Sequence, residues 1–161
     1  MREWIPVPGT TKARLIETAL REFGLRGFDG VGVTEIAATA GVTVGSLYHH
    51  FGSKAGLYAL VRSDVERRVI DRMEGAWAAR ADLAAALEIG FDYLVKAGFT
   101  RLLAEPYVDR ARDPMEQFLT ARADRDGLPV GQLLAAAWRC ALDLATDDAE
   151  GARGALLEIA R

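Results

Sequence analysis

The sequence has little cysteine and no long apolar run, and both shortages narrow what the chain can be. Its 161 residues include one cysteine, Cys140, which excludes an intramolecular disulfide and cannot build a zinc site by itself. No stretch of about 18 consecutive apolar residues is present, and no charged segment followed by an apolar run opens the chain. We therefore expect a cytoplasmic protein without a membrane span, with Cys140 as an inert core thiol.

Motifs of catalysis are also missing. The sequence contains no nucleophile elbow, phosphate loop, zinc-protease helix or dinucleotide-binding glycine pattern. Its two histidines, His49 and His50, are adjacent, and adjacent residues point to different sides of a helix, so a metal site is not expected there. We expect a protein that is not an enzyme and that uses no cofactor.

Charge is distributed unevenly along the chain. The formal net charge is −3, but residues 1–68 contain nine Lys and Arg against seven Asp and Glu, whereas residues 69–161 contain 11 against 16. A local basic patch, rather than the total charge, decides whether a region tolerates a polyanion. The N-terminal part is therefore compatible with binding to nucleic acid.

Apolar residues recur at helical spacing almost throughout, and half of all residues are hydrophobic. This pattern predicts an all-α protein. We expect an extended arm over residues 1–9 and then a first helix that is capped by Thr10 or Thr11 and ends near Gly24 or Gly27. The further predicted helices span 35–40 (capped by Thr34), 44–51 (capped by Thr43), 54–80, 83–97, 100–107, 114–126, 130–145 and the C-terminal residues after the 146–148 cap.

Two short helices, 35–40 and 44–51, are joined by a turn at Gly41 and Val42. They have the dimensions of a helix-turn-helix, in which the second helix lies in the major groove of DNA. On a helical wheel, Leu47 and Phe51 share the buried stripe, while small and polar residues occupy the outer arc. Hydrogen-bonding groups for phosphate on or beside this arc are provided by Thr43, Ser46, Tyr48, His49 and His50, and Lys54 adds a point charge.

At these residues the sequence resembles the TetR family of transcriptional regulators. The resemblance covers residues 10–62 and rests on three segments, Thr34-Glu35-Ile36-Ala37, Ala40-Gly41-Val42-Thr43 and Leu47-Tyr48-His49-His50-Phe51-Gly52-Ser53-Lys54, followed by Leu57-Tyr58. It implies a three-helix DNA-binding domain over residues 1–62 and a helical effector-binding and dimerisation domain over residues 63–161. It also implies a ligand-responsive repressor that binds double-stranded operator DNA.

The resemblance implies roles for single residues as well. Tyr48 and His50 would hold phosphates, and Thr34 and Lys54 would anchor the flanks. Thr43, Val44, Gly45 and His49 would face bases or nearby backbone. Where Val44 stands, the family often has a basic or polar residue, so base preference would come from the thymine methyl group, His49 and DNA shape. An alternative is a helical interaction protein whose helix-turn-helix no longer binds DNA.

The C-terminal half resembles the family in layout rather than in motif. A small, apolar effector is expected between its helices, because no dense cluster of charges stands at motif spacing. The candidate lining residues are Phe91, Leu94, Tyr107, Phe118 and Trp138, although residues of this kind at helical spacing are more often plain core than ligand lining. The last two helices carry small and apolar residues, which predicts a homodimer built as a four-helix bundle. The candidate interface residues are Leu134, Trp138, Leu142, Ala152, Leu156 and Ile159.

Overall fold

The computed structural model describes residues 9–107, 112–124 and 126–161. Within these ranges the chain forms α1 (Thr11–Arg26), α2 (Val33–Thr39), α3 (Val44–Phe51), α4 (Lys54–Arg80), α5 (Leu83–Ala97), α6 (Thr100–Ala104), α7 (Pro114–Ala123), α8 (Val130–Leu144) and α9 (Ala149–Ile159). These ranges contain no β-strand, and the all-α prediction is confirmed. Apart from Gly9, the arm predicted over residues 1–9 lies outside the described residues.

Polar side chains cap the start of six of the described helices. Each cap accepts a hydrogen bond from a backbone N–H of the first turn, which has no partner within the helix. The capping residues are Thr10, Thr43, Ser53, Asp82, Asp113 and Asp148. The chain therefore sets its helix starts locally, before any tertiary contact is considered.

Three predicted boundaries are wrong. Thr34 does not cap α2, because the helix begins at Val33 and its N-cap is Gly32. The helix that begins at Thr100 ends at Ala104, because the residue before Pro106 is extended. The helix that begins at Pro114 ends at Ala123, before Gly127, and the carboxylate of Asp124 accepts a hydrogen bond of 2.7 Å from the Gly131 N–H.

Helix α4 forms the central axis of the molecule. It packs on α1 and α3 at one end and on α5, α6 and α7 further along. Residue 62, where the sequence predicts the domain boundary, lies inside this continuous helix. Five of its side chains are fully buried: Leu57, Val61, Val65, Val69 and Met73. None of the described helices combines the length and hydropathy that a membrane crossing requires.

Candidate nucleic-acid interface

A tight turn joins α2 to α3. Gly41 adopts a positive φ of 65°, a conformation that glycine takes without steric penalty. The Val42 N–H donates to the carbonyl of Ala37 at 3.0 Å, and the Thr43 hydroxyl oxygen then accepts from the Ser46 N–H at 3.1 Å. These bonds fix the angle at which α3 leaves the turn.

The outer face of α3 is exposed as its helical pattern predicts. Leu47 is fully buried and Phe51 is half-buried against the core. On the opposite side, Thr43, Gly45, Tyr48, His49 and His50 are exposed, and Val44 and Ser46 are half-buried. Leu47 and Phe51 therefore hold a helix whose polar face is open to a partner.

The two predicted flanking residues lie on neighbouring helices. Thr34 is exposed in the first turn of α2. Lys54 is the first residue of α4, and its Nζ lies 4.1 Å from the centroid of the Phe28 ring, a cation–π geometry. Phe28, in the connection between α1 and α2, thus contacts a predicted phosphate ligand. Only a tertiary contact places Phe28 beside Lys54, so the spacing of residues in the sequence gave no signal that Phe28 belongs to the site.

The predicted effector residues do not line an open cavity. Phe91, Leu94, Phe118 and Trp138 are buried, and the rings of Phe91 and Trp138 meet edge to face at 6.4 Å. The space beside Trp138 has a volume of about 10 Å³, which is room for one water molecule at most. Tyr107 is half-buried and belongs to a different environment.

Tyr107 belongs to a buried charged cluster that sequence analysis missed. Its hydroxyl donates to the Glu66 carboxylate at 2.5 Å, and the Arg62 Nε donates to the same carboxylate at 3.3 Å. Close by, Arg139 pairs with Asp113, whose carboxylate also caps α7. Burial is the main cause that raises the pKa of Glu66, and burial together with Glu66 raises the pKa of Tyr107 to about 12.

This cluster removes the argument for an apolar effector. That expectation rested on the lack of a charge cluster at motif spacing, but the charged residues converge from α4, α7 and α8. Only Arg62 and Glu66, one helical turn apart, could have given a signal in the sequence.

A larger pocket lies where α1, α6 and α8 meet. It is open to solvent and has a volume of about 440 Å³. Charged side chains of both signs line it, together with Gly27, Ala104, Pro106 and Cys140. Its charged residues are Arg26, Asp29, Arg101, Glu105, Arg139 and Asp143. Cys140 is exposed, so its predicted position in the core is wrong: the residue lies on the side of α8 that turns away from the buried Trp138.

Five of the six predicted interface residues are buried within the chain itself: Leu134, Trp138, Leu142, Ala152 and Leu156. Ile159 alone is exposed, at 62%. The outer face of α8 carries a different stripe, with Leu133 at 68% and Leu144 at 53% exposure. Any contact between copies at α8 and α9 therefore has to use the faces that turn away from the core.

Comparison with known proteins gives matches over the N-terminal segment and over most of the fold. Residues 15–61 match the family model described as bacterial regulatory proteins, tetR family. The HTH-type transcriptional regulatory protein RaaS of Mycobacterium tuberculosis is 52% identical over 48 residues, which are 30% of this chain and 22% of that protein. The HTH-type transcriptional repressor Rv1474c of the same species is 29% identical over 151 residues, or 84% of this chain and 78% of that protein.

A solved structure shares the fold. A tetR-family transcription regulator from Shewanella sp. PV-4 aligns with a TM-score of 0.62 and 23% identity, covering 93% of this chain and 95% of that one. The alignment includes the C-terminal helices, where the sequence carries no recognisable motif.

Proposed function

We propose that this chain is a TetR-family transcriptional regulator that binds double-stranded operator DNA through α3; the match of residues 15–61 to that family's model supports the proposal. The observation that carries the proposal is the geometry of α3: a buried Leu47 on one side and an exposed polar face on the other. A helix held in this way can enter the major groove with its N-terminal residues toward the base edges.

We assign phosphate contacts to Tyr48 and His50 and flanking contacts to Thr34 and Lys54. We assign contacts with the bases or nearby backbone to Thr43, Val44, Gly45 and Ser46 at the start of α3 and to His49 further along it. The exposure of Gly45 and the half-burial of Val44 leave the backbone free to approach DNA closely. These two residues offer no side-chain hydrogen bond, so His49 and DNA shape carry most of the sequence preference.

We divide the chain into a DNA-binding domain over residues 1–62 and an effector-binding and dimerisation domain over residues 63–161. A small molecule that binds the second domain would release a repressor from its operator, to an extent set by its different affinity for the two conformations. The effector carries a polar group in this proposal, because charged side chains of both signs stand in the wall of the open pocket.

We propose further that the protein is a homodimer, since a two-fold dimer would present two copies of α3 about 34–36 Å apart, one turn of DNA. The surface that supports this is the exposed stripe of α8, which includes Leu133 and Leu144, together with Ile159 on α9. This exposed surface replaces the buried residues that the sequence analysis predicted as the dimer interface.

The test is an electrophoretic mobility shift with DNA that flanks the gene for this chain. We expect specific binding whose logarithmic affinity falls with the logarithm of salt concentration by about 0.9 per neutralised phosphate. An absence of binding at low salt would favour the alternative of an interaction protein with an inactive helix-turn-helix.

A further inference from the structure

We propose that Glu105, which lies beyond the helix-turn-helix in the sequence, positions Lys54 for its phosphate contact by holding Phe28 in place. The inference rests on the proposed function, because it concerns how tightly the protein binds DNA. It connects a residue of the C-terminal domain to a cation at the DNA-binding face.

The Glu105 carboxylate joins two separate parts of the DNA-binding domain. One oxygen accepts a hydrogen bond of 2.9 Å from the Phe28 N–H, in the connection between α1 and α2. The other accepts a hydrogen bond of 2.8 Å from the Tyr58 hydroxyl on α4. A hydrogen bond to an ionised acceptor is stronger than one between neutral groups, so this carboxylate fixes the connection against α4.

The Phe28 ring is held on two sides. Its centroid lies 5.0 Å from that of Tyr58, edge to face, and the Lys54 Nζ lies 4.1 Å from the Phe28 centroid. A lysine side chain has several rotatable bonds, and the attraction of its ammonium group to a ring face favours one arrangement of that chain. The position of the ring therefore determines where the Lys54 charge lies at the start of α4.

Further contacts of Glu105 involve Arg62 on α4 and Gly27 at the end of α1. Its carbonyl oxygen accepts a hydrogen bond of 2.5 Å from the Arg62 guanidinium, which also binds Glu66 of the buried cluster. A Cβ at Gly27 would lie 2.8 Å from a Glu105 carboxylate oxygen, so a larger residue there would have to displace the end of this side chain. Glu105 also lines the open pocket, where a bound ligand would reach it directly.

The experiment measures the salt dependence of operator binding by the full chain and by Glu105→Ala. The variant loses one negative charge, and simple repulsion would then predict tighter binding to DNA. We expect the opposite, namely a salt slope smaller by about 0.9. The ratio of wild-type affinity to variant affinity should then be about eightfold larger at 0.1 M salt than at 1 M salt. Glu74→Ala, on an exposed part of α4, is the matched control and should leave the slope unchanged.

A double-variant cycle separates positioning from a general loss of structure. Lys54→Ala should reduce the slope by the same amount, and adding Glu105→Ala to it should reduce the slope no further. Phe28→Leu keeps the backbone N–H that Glu105 binds but removes the ring, so it should reproduce the loss even if Glu105→Ala does not fold. Circular dichroism and urea midpoints report folding for every variant.

Additive losses, or an unchanged slope in folded Glu105→Ala or Phe28→Leu, would overturn the inference while the proposed function stands. A wild-type protein that binds no operator DNA would overturn both, and that result is obtained before any variant is made.

Discussion

Gly131 of α8 lies directly against the backbone of Thr120 in α7. A Cβ at position 131 would be 2.4 Å from both the N and the Cα of Thr120. Backbone atoms cannot swing aside as the end of a flexible side chain can, so the two helices approach each other only because residue 131 has no side chain.

We therefore expect Gly131→Ala to lower the free energy of unfolding by about 1–3 kcal/mol, the range for overpacking. Gly75→Ala is the matched control, because Gly75 is also helical and has nothing within 4 Å of an added Cβ. That control should raise stability by up to about 1 kcal/mol through helix propensity. Urea unfolding measures both, and equal effects would contradict the close approach of α7 and α8.

On α3, phosphate contacts and base contacts should respond differently to substitution. Tyr48→Phe removes one hydroxyl from the exposed face and should weaken binding to every DNA sequence, by about tenfold for a bond to a charged group. His49→Ala should instead change the preference at one base position by about 1 kcal/mol. Competition mobility shifts with a set of single-base operator variants distinguish the two, and a uniform effect of His49→Ala would remove it from the base-reading face.

The proposed dimer can be tested at the outer stripe of α8. Leu133→Glu places a charge on a side chain that is 68% exposed in the single chain, so folding should be little affected while association is lost. Leu25→Glu, at 60% exposure on α1, is the control and should remain dimeric. Sedimentation velocity at micromolar concentration gives the result, and a dimeric Leu133→Glu would exclude this stripe as the interface.

Glu66 should make stability depend on pH. Burial raises its pKa above the ordinary value of 4.5, so the folded state binds this proton more tightly than the unfolded state does. The contribution is then fully present below the unfolded pKa and is lost as pH rises through the folded pKa.

Glu66→Gln removes that titration. Between pH 4.5 and 8, the unfolding free energy of the variant should therefore rise relative to that of the wild-type protein. Urea midpoints across this range provide the measurement, with Glu74→Gln as the exposed control on the same helix. A change in the opposite direction would mean that the Arg62 guanidinium outweighs burial at this site.

The helix-turn-helix could be read from the sequence because its determinants are local. Thr43 caps α3 through a bond that spans three residues, Gly41 supplies the left-handed turn, and Leu47 faces inward by helical periodicity. One of the boundary errors occurs where a contact outside the helix intervenes. Helix α7 stops at Ala123, and Asp124 then binds the N–H of Gly131 in the next helix.

Which residues of the C-terminal half are buried could be established only from the tertiary structure. The helices that pack on α8 decide which of its apolar faces is buried. Leu134 and Trp138 therefore lie in the core and Leu133 lies on the surface, although all three residues suit a helix equally. Likewise, Glu105 meets Phe28 from 77 positions along the chain. Local bonding and periodicity thus determined the helices and the helix-turn-helix, whereas contacts between residues remote in sequence decided the core, the charged cluster and the link between the two halves.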